Sequence, residues 1–315
     1  MRIILLGLGL FAAVSTSCSK TNSKHVDLGG GSNPGVDSSA PAATWQEHWF
    51  EHKQLVKNVA YTEEVALYYD DDMDRTVTWP LRKAEEIWKY TKKTYAPFKG
   101  EDKRLNVILH YGKYGGGHPY GYFDASHDNR TGVDIGSNNS WKDSSGWNLD
   151  VITHEIGHIV EGSFKGVKES PAFDIWGDSK WMEIYIYDVY KGLGWDAEAE
   201  RCYNSTINGS DDFPRPGTQW FKNWFYPIYD QYGGATVLNN FFTLLSEHFP
   251  QKKHNYGMEY TRRMNMGEFV HFWSGAANAD LKDLAIAAFG TKDRNGGDWT
   301  IQLENAKKDF PGITY

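Results

Sequence analysis

The chain has 315 residues, of which 40% are apolar and 23% charged, with a formal net charge of -8 and a pI near 5.8. This length and apolar content are sufficient for a sizeable core in one large domain or two closely packed domains. An acidic chain without a block of Lys and Arg lacks the charge pattern that binds nucleic acid or anionic lipid, which argues against a polyanionic partner.

The N-terminal segment, residues 1–18, has the features of an export signal. One Arg is followed by an apolar run over residues 3–14 and then by small residues that lead into Cys18. A bilayer-spanning helix needs about 20 apolar residues, so this run is too short to span. The letters STSC at residues 15–18 resemble a bacterial lipobox, with Ser15 in place of the usual Leu. The resemblance implies a signal peptide over residues 1–18 and a protein exported to the bacterial cell envelope, at the outer membrane or cell surface. Membrane contact would be only through a lipid anchor at Cys18. A plain secretory signal is the alternative.

The segment after the signal is expected to be a flexible linker. Residues 19–44 are rich in Ser, Gly, Pro and Asn and contain almost nothing large and apolar. Aromatic residues begin abruptly at Trp45 and Trp49. We therefore predict a folded domain over residues 45–315, with an α+β part at 45–195 and a helical part at 196–315.

In chain order, the patterns predict first strands and helices in alternation and then mainly helices. Strands are expected at residues 65–69 and 104–110, with a helix between them that opens at Trp79-Pro80. The Gly-rich segment YGKYGGGHPYGYFD is expected to be a loop. Helices are predicted from about residue 148 to 161, closed by Gly162, and from Asp178-Ser179 to Gly194. Beyond Trp220, helical patterns lie near residues 219–230, 234–248, 266–275, 280–289 and 297–309.

Three polar motifs are interpreted as structural. The acidic run at residues 70–74 lacks the spaced ligands of a calcium loop, so a solvated turn is expected. His48 and His52 have i,i+4 spacing, but no third ligand stands beside them in the sequence, so no metal is predicted there. The Gly115-Gly116-Gly117-His118 stretch lacks the Lys and Ser or Thr of a phosphate loop. A lip near a cleft or a plain surface turn is expected instead.

The segment VITHEIGHIVEG, residues 151–162, carries the chemistry. On a helix, His154 and His158 lie on one face and can both point at a single ion. Glu155 is rotated by about 100° from His154, which places its carboxylate beside the ion rather than on it. The flanking residues are apolar, so these polar groups would be costly to bury without a partner, and Gly157 permits close approach of another element. The motif predicts a zinc site, with hydrogen-bonded core histidines as the alternative.

The letters HEIGH resemble the active-site helix of the zincin metallopeptidases. The resemblance implies a zincin-like α+β fold, in which an N-terminal mixed sheet carries the active-site helix and the C-terminal part is mainly helical. The metzincin branch has Gly and a third His where this chain has Glu161 and Phe164, so that branch does not fit. The gluzincin branch takes its third ligand from the next helix, where Glu183 lies in WMEIYIYDVY. Asp178, which is also a candidate helix N-cap, and Asp174, which would make the site aspzincin-like, are the alternative ligands.

The resemblance also implies a reaction. With three protein ligands, the fourth zinc position holds water whose pKa is lowered to about 7. Glu155 is expected to act as general base toward that water and to return the proton to the leaving amine. The predicted function is an exported zinc metallopeptidase, a hydrolase that acts on extracellular proteins or glycoproteins. If strand 104–110 lies at the edge of the cleft, it can pair with an extended substrate backbone. The alternative is a non-catalytic glycan- or protein-binding surface lipoprotein with a structural metal, since 13 Trp and 19 Tyr can supply an aromatic surface.

Supporting residues are expected around the site. A metal-bound His donates its other ring proton to a carboxylate or carbonyl, and Asp188 and Asp178 are candidates for that role. The oxyanion of the tetrahedral intermediate needs a donor, for which Tyr229, Tyr260 and His271 are candidates. The sequence leaves all of these alternatives open.

Overall fold

The computed structural model describes residues 24–25, 40–99 and 104–315. Within that part the fold is mixed α+β, with a mixed sheet and many helices, so the predicted α+β class is confirmed. The predicted signal peptide, Cys18 and most of the linker lie outside the described residues. Across the described ranges, no helix combines the length and apolar character needed to cross a bilayer.

Two sheets contain all ten strands of the described residues. The strands are β1 Lys24–His25, β2 Thr44–Gln46, β3 Leu55–Tyr61, β4 Val65–Tyr69, β5 Leu105–Tyr111, β6 Gly116–Tyr120, β7 Gly132–Ser137, β8 Val167–Lys168, β9 Gln251–His254 and β10 Gly257–Tyr260. The larger sheet has the order β1-β3-β4-β5-β7-β6, with β2 paired to β3. Strands β4, β5 and β7 are parallel, whereas β3 and β6 run antiparallel to their neighbours. The smaller sheet has the order β8-β10-β9.

The helices follow mostly after the larger sheet. They are α1 Trp79–Tyr95, α2 Gly146–Ser163, α3 Phe173–Trp176, α4 Lys180–Gly192, α5 Asp196–Thr206, α6 Tyr226–Gln231, α7 Ala235–His248, α8 Met266–Ala277, α9 Lys282–Phe289 and α10 Trp299–Asp309, with a π-helical turn at Phe221–Phe225. The predictions for α1, α4 and α6 to α10 are confirmed within a few residues. The short α3, α5 and the smaller sheet were not predicted, because polar strands such as QKKH carry no apolar alternation.

Strand β5 does not lie at an edge of the larger sheet. A substrate-binding role for β5 required it to lie at the edge of the cleft, but it pairs with β4 on one side and β7 on the other, so its backbone cannot accept a substrate strand. The edge strand is β6, which pairs with β7 and has the sequence GGHPY inside the predicted Gly-rich loop. This strand was not predicted because three successive Gly and Pro119 are not typical of a strand, although Pro is tolerated on an edge strand.

The larger sheet separates two hydrophobic clusters because successive side chains of a strand point to opposite faces. Leu67, Val107 and Ile135 face the large core, which contains the helices. Tyr68 and Ile108 face a smaller cluster on the other side of the sheet, which we call the far face. The smaller cluster consists of Trp45, Trp49, Val56, Tyr61, Ala66, Tyr68, Ile108 and Tyr120. The sheet therefore places α2 on one face and the segment after β2 on the other.

Helix α2 packs closely against α4 at Gly157, as the sequence predicted. A Cβ atom on Gly157 would lie 2.5 Å from Sδ of Met182 and 2.7 Å from Cδ1 of Tyr185, so a larger residue would push the helices apart. The predicted end of α2 is wrong by about one residue. Gly162 lies inside the helix, which continues to Ser163.

Candidate metal centre

The two histidines of α2 converge with one carboxylate. The Nε2 atoms of His154 and His158 are 3.1 Å apart. Asp178 places Oδ2 at 3.7 Å from Nε2 of His154 and Oδ1 at 3.3 Å from Nε2 of His158. Ligands at zinc-bond lengths around a tetrahedral ion lie roughly 3.3 Å from one another. The three donor atoms are therefore spaced as ligands that share one ion.

The third position in this group is held by Asp178. Asp178 was predicted as a helix N-cap or an alternative ligand, but the N-cap position of α4 is Ser179, and no side chain caps the helix there. Gly177, with φ of 63°, reverses the chain between α3 and α4, a conformation that disfavours residues with a Cβ. Asp178, the next residue, lies beside the two histidines of α2. The histidines lower the pKa of its carboxyl well below the usual range, so the group is a carboxylate.

The structure does not bring Glu183 or Asp174 to the histidines. Glu183 lies in the first turn of α4 and is mostly buried, and burial raises its pKa to about 7 despite the nearby charge of Lys180. Asp174 instead pairs with Arg263, with Oδ1 at 3.5 Å from Nε. Of the three candidate third ligands, the geometry selects Asp178.

Glu161 fixes the orientation of His158. Nδ1 of His158 lies 3.0 Å from Oε2 of Glu161, and a carboxylate can only accept, so Nδ1 carries a proton and Nε2 is the nitrogen that faces His154 and Asp178. The other oxygen of Glu161 accepts hydrogen bonds from Ser170 and the Trp176 indole, both at 2.6 Å. Burial disfavours the charged imidazole, but Asp178 and Glu161 outweigh it and raise the pKa of His158 to about 10. The two carboxylates therefore favour a positive charge at Nε2 of His158.

Glu161 was missed at the sequence level, although its i,i+3 spacing from His158 on one helix was a usable signal. Asp188, which was predicted for this role, is buried in a different network. Its Oδ2 accepts hydrogen bonds from Tyr95 at 2.6 Å and from Tyr90 at 3.0 Å. Asp178, the other candidate, faces the Nε2 atoms themselves.

Glu155 lies beside the histidines, under the edge strand. Only 5% of the residue is exposed, and burial raises the pKa of its carboxyl although the nearby histidines lower it. A Cβ atom on Gly117 of β6 would lie 2.7 Å from Cδ of Glu155. The carboxylate therefore occupies the space that a side chain at residue 117 would fill. A buried carboxylate with a raised pKa next to a cation site is suited to accept a proton.

A cavity of about 330 Å³ lies between β6, α2 and the smaller sheet, and His158 is the one residue of the metal-ligand group that lines it. We call it the α2 cavity. Its volume is within the range of small-ligand pockets. His158 and Glu161 form part of its wall, and Lys168 and Arg263 bring positive charge to it. The remaining lining residues are Pro119, Tyr120, Gly121, Phe123, Asp124, Ile159, Gly162, Ser163, Glu169, Ser170 and Phe173.

The predicted oxyanion donors have partners elsewhere. His271 places Nδ1 at 3.0 Å from Oη of Tyr315 and Nε2 at 3.3 Å from the carbonyl of Phe310, inside the C-terminal helices. Tyr229 hydrogen-bonds Asp188. Tyr260 is buried in the large core. None of the three has a described contact with His154, Glu155 or His158.

Comparisons with known proteins do not assign a family. A scan against protein-family profiles gives no match. A search of curated proteins likewise gives no match.

Proposed function

We propose that the chain is a zinc-dependent metallopeptidase of zincin-like fold, with His154, His158 and Asp178 as zinc ligands and Glu155 as general base. One observation carries the proposal: three donor atoms converge at the spacing of a shared ion, with a buried carboxylate and a cavity beside them. With an aspartate as third ligand, the site is aspzincin-like rather than gluzincin-like.

The donor set fits zinc, because two imidazole nitrogens and one carboxylate oxygen leave one coordination position open, as in catalytic sites. The hydrogen bond from His158 to Glu161 is the outer partner that zinc-bound histidines require. Zinc, when bound, acts as a Lewis acid that polarises the scissile carbonyl and lowers the pKa of water.

The residues of the chain supply the proton transfer and the positioning. Glu155 takes a proton from the attacking water and delivers it to the leaving amine. Its raised pKa suits both steps, because it is closer to neutral pH than the pKa of an ordinary carboxyl. Strand β6 runs over Glu155 and, within the described residues, pairs only with β7, so its other edge can hydrogen-bond an extended peptide. Backbone recognition of this kind suits a protein or glycoprotein substrate. The export signal and the lipid anchor at Cys18 remain a proposal from the sequence, and they would place that substrate outside the cell.

The alternative function, a binding lipoprotein with an aromatic glycan-facing surface, is not favoured by the packing. All 13 Trp lie within the described residues, and Trp147 is the only one that is exposed. The tryptophans therefore build the core rather than a binding surface.

The proposal is tested by peptide hydrolysis and metal content measured on the same preparations. The full-length chain, the His154→Ala/His158→Ala double variant and the Glu155→Gln variant are incubated with unfolded protein substrates, and zinc is measured by elemental mass spectrometry. We expect hydrolysis only in the wild type, and loss of one zinc per chain only in the double variant. Equal hydrolysis by wild type and double variant would overturn the proposal.

A further inference from the structure

A second group of metal-ligand side chains lies on the far face of the larger sheet. It consists of Glu47, His52, His110 and Asp134, and we call it the far-face group. One donor atom from each residue lies within 4.8 Å of the others. All four residues are buried, with exposures of 1%, 4%, 0% and 1%. A fully buried set of two imidazoles and two carboxylates needs either an internal partner or a cation.

Strand alternation and one loop build this group. Asp134 on β7 lies between Val133 and Ile135, and His110 on β5 follows Leu109. These three neighbours face the large core, so the side chains of Asp134 and His110 point to the far face. Glu47 and His52 come from the segment between β2 and β3, which covers that face. No metal was predicted near His52 because no third ligand lies close to it in the sequence. In the structure, its neighbours His110 and Asp134 come from strands much later in the chain.

Four buried atoms of the group lack a well-aligned hydrogen bond, although Nδ1 of His52 lies 2.8 Å from Oδ2 of Asp134. They are Oε1 of Glu47, Nδ1 of His52, Nε2 of His110 and Oδ1 of Asp134. Nε2 of His110 nevertheless lies 2.8 Å from Oε1 of Glu47 and 3.0 Å from Oδ1 of Asp134. The atoms are close together but not aligned for hydrogen bonds. Ligands around one ion have this arrangement, because each donor points at the centre rather than at its neighbour.

Other atoms of three of these residues have hydrogen-bond or ion-pair partners outside the group. Nδ1 of His110 lies 3.0 Å from Oδ2 of Asp70, Oδ2 of Asp134 accepts from the Trp49 indole at 2.8 Å, and Oε2 of Glu47 accepts from the backbone N–H of Gln54 at 2.9 Å. Outer hydrogen bonds that fix the ligands are a regular feature of metal sites. Asp70 is fully buried, so the prediction of a solvated turn at residues 70–74 is wrong at its first residue.

A divalent cation would also balance the negative charges of the far-face group. The carboxylates of Glu47 and Asp134 carry two negative charges, which one divalent ion would neutralise if both imidazoles are neutral. The third carboxylate, Asp70, has the ammonium of Lys113 at 3.5 Å from Oδ2. A divalent ion would thus leave the whole region close to neutral, which low-dielectric burial favours.

We propose that the far-face group is a second metal site, which binds one divalent transition-metal ion, with zinc as the preferred ion. Four protein ligands in a buried position make it a closed, structural site without an open position for water. Tyr114 covers it, since its ring stacks on His52 with the centroids 3.6 Å apart. The rival arrangement is a metal-free network of protonated imidazoles and carboxylates. It would require the imidazole N–H groups to point directly at the carboxylate oxygens.

The location gives this ion a role in positioning β6. Nε2 of His118 lies 3.8 Å from Oδ2 of Asp134, and the preceding residue, Gly117, lies against Glu155. Strand β6 thus lies between the far-face group and the α2 histidines. The far-face site does not depend on the proposed peptidase activity, because neither group shares a ligand with the other.

The decisive experiment counts ions in a chain whose α2 histidines are removed. The full-length His154→Ala/His158→Ala protein is loaded with zinc chloride, gel-filtered without chelator and measured by elemental mass spectrometry, beside the wild type. We expect one zinc per chain in the double variant and two in the wild type. A folded double variant without zinc would overturn the second site, whatever the peptidase assay shows.

A matched pair of variants assigns the ion to the far-face group. His52→Ala, added to the double variant, should remove the remaining zinc, whereas His48→Ala, on the same loop but half-exposed and outside the group, should not. Retention of zinc in the His52→Ala protein would overturn the assignment. If that protein does not fold, cobalt replaces zinc in the double variant, and visible d–d bands of a four-coordinate site with nitrogen and oxygen ligands are expected. A six-coordinate cobalt spectrum would overturn the closed site.

Discussion

The carboxylate of Glu155 and the backbone of Gly117 occupy adjoining space, so that a Cβ atom at residue 117 would lie 2.7 Å from both Cγ and Cδ of Glu155. A side chain at residue 117 would therefore force the carboxylate of Glu155 to move. The base of the proposed reaction and the strand proposed to hold the substrate are coupled by this contact.

Gly117→Ala should displace Glu155 and slow hydrolysis. A misplacement of about 1 Å can cost roughly 100-fold in rate, so we expect kcat/KM to fall by about 10- to 100-fold with zinc content unchanged. The matched control is Gly115→Ala, since a Cβ there meets no atom within 4 Å. Equal activities of the two variants would show that the position of Glu155 does not depend on the absence of a side chain at residue 117.

Glu155→Gln should abolish hydrolysis while leaving zinc bound. The amide keeps the size of the side chain but cannot accept a proton, and loss of a general base costs about 100- to 10,000-fold in rate. Initial rates and metal content are measured together, with the exposed Glu63→Gln as control. Activity within about tenfold of the wild type would exclude Glu155 as the base.

Asp178→Asn should weaken zinc binding at the α2 histidines, whereas Glu183→Gln should not. Only Asp178 places oxygens near both Nε2 atoms. Loss of a direct ligand should exceed the roughly 10- to 100-fold decrease in affinity that is typical when an outer partner is lost. Competition with a fluorescent chelator measures the affinity. The reverse order of effects would return the third ligand to Glu183.

Glu161→Gln should weaken zinc binding by about 10- to 100-fold, because the charged acceptor that holds His158 is replaced by an amide. Gln keeps an oxygen for the hydrogen bonds from Ser170 and Trp176, so the fold should be retained. Near-UV circular dichroism checks the fold, and the chelator competition reports the affinity. An affinity equal to that of the wild type would mean that Glu161 only supports the packing.

Glu183 should make the protein less stable as pH rises. Burial raises its folded-state pKa to about 7 from the ordinary value of 4.5, so the folded state binds more protons than the unfolded state between these values. Stability is therefore lost as pH rises from 4.5 through 7, and the loss is complete above pH 7. Below pH 4.5 the effect vanishes because both states are protonated.

Glu183→Gln removes this penalty. The variant should be more stable than the wild type by on the order of 1–3 kcal/mol at pH 8, with a much smaller difference at pH 5. Urea unfolding at the two pH values measures both free energies of unfolding. A difference that is the same at both pH values would show that Glu183 titrates normally in the folded state.

Most helices and the central strands could be predicted because their signals are local. Strand β4 is a continuous apolar run, and helix α1 was predicted from helical spacing and Pro80 at the helix start. The pairing of His154 with His158 was predictable for the same reason, since i,i+4 geometry on a helix does not depend on the rest of the fold. The edge strand β6 was not, because GGHPY has no strand pattern and forms a strand only by pairing with β7.

The sequence by itself determined the α+β class and the helix that carries His154, Glu155 and His158, and it predicted a metal site on that helix. The tertiary structure decided that Asp178 rather than Glu183 completes the group, because the chain reverses at Gly177. It also brought His52 to His110 and Asp134, which come from a loop and two parallel strands. Helical spacing fixes distances over one or two turns, whereas contacts between distant segments depend on how the sheet and its loops pack, which no local pattern encodes.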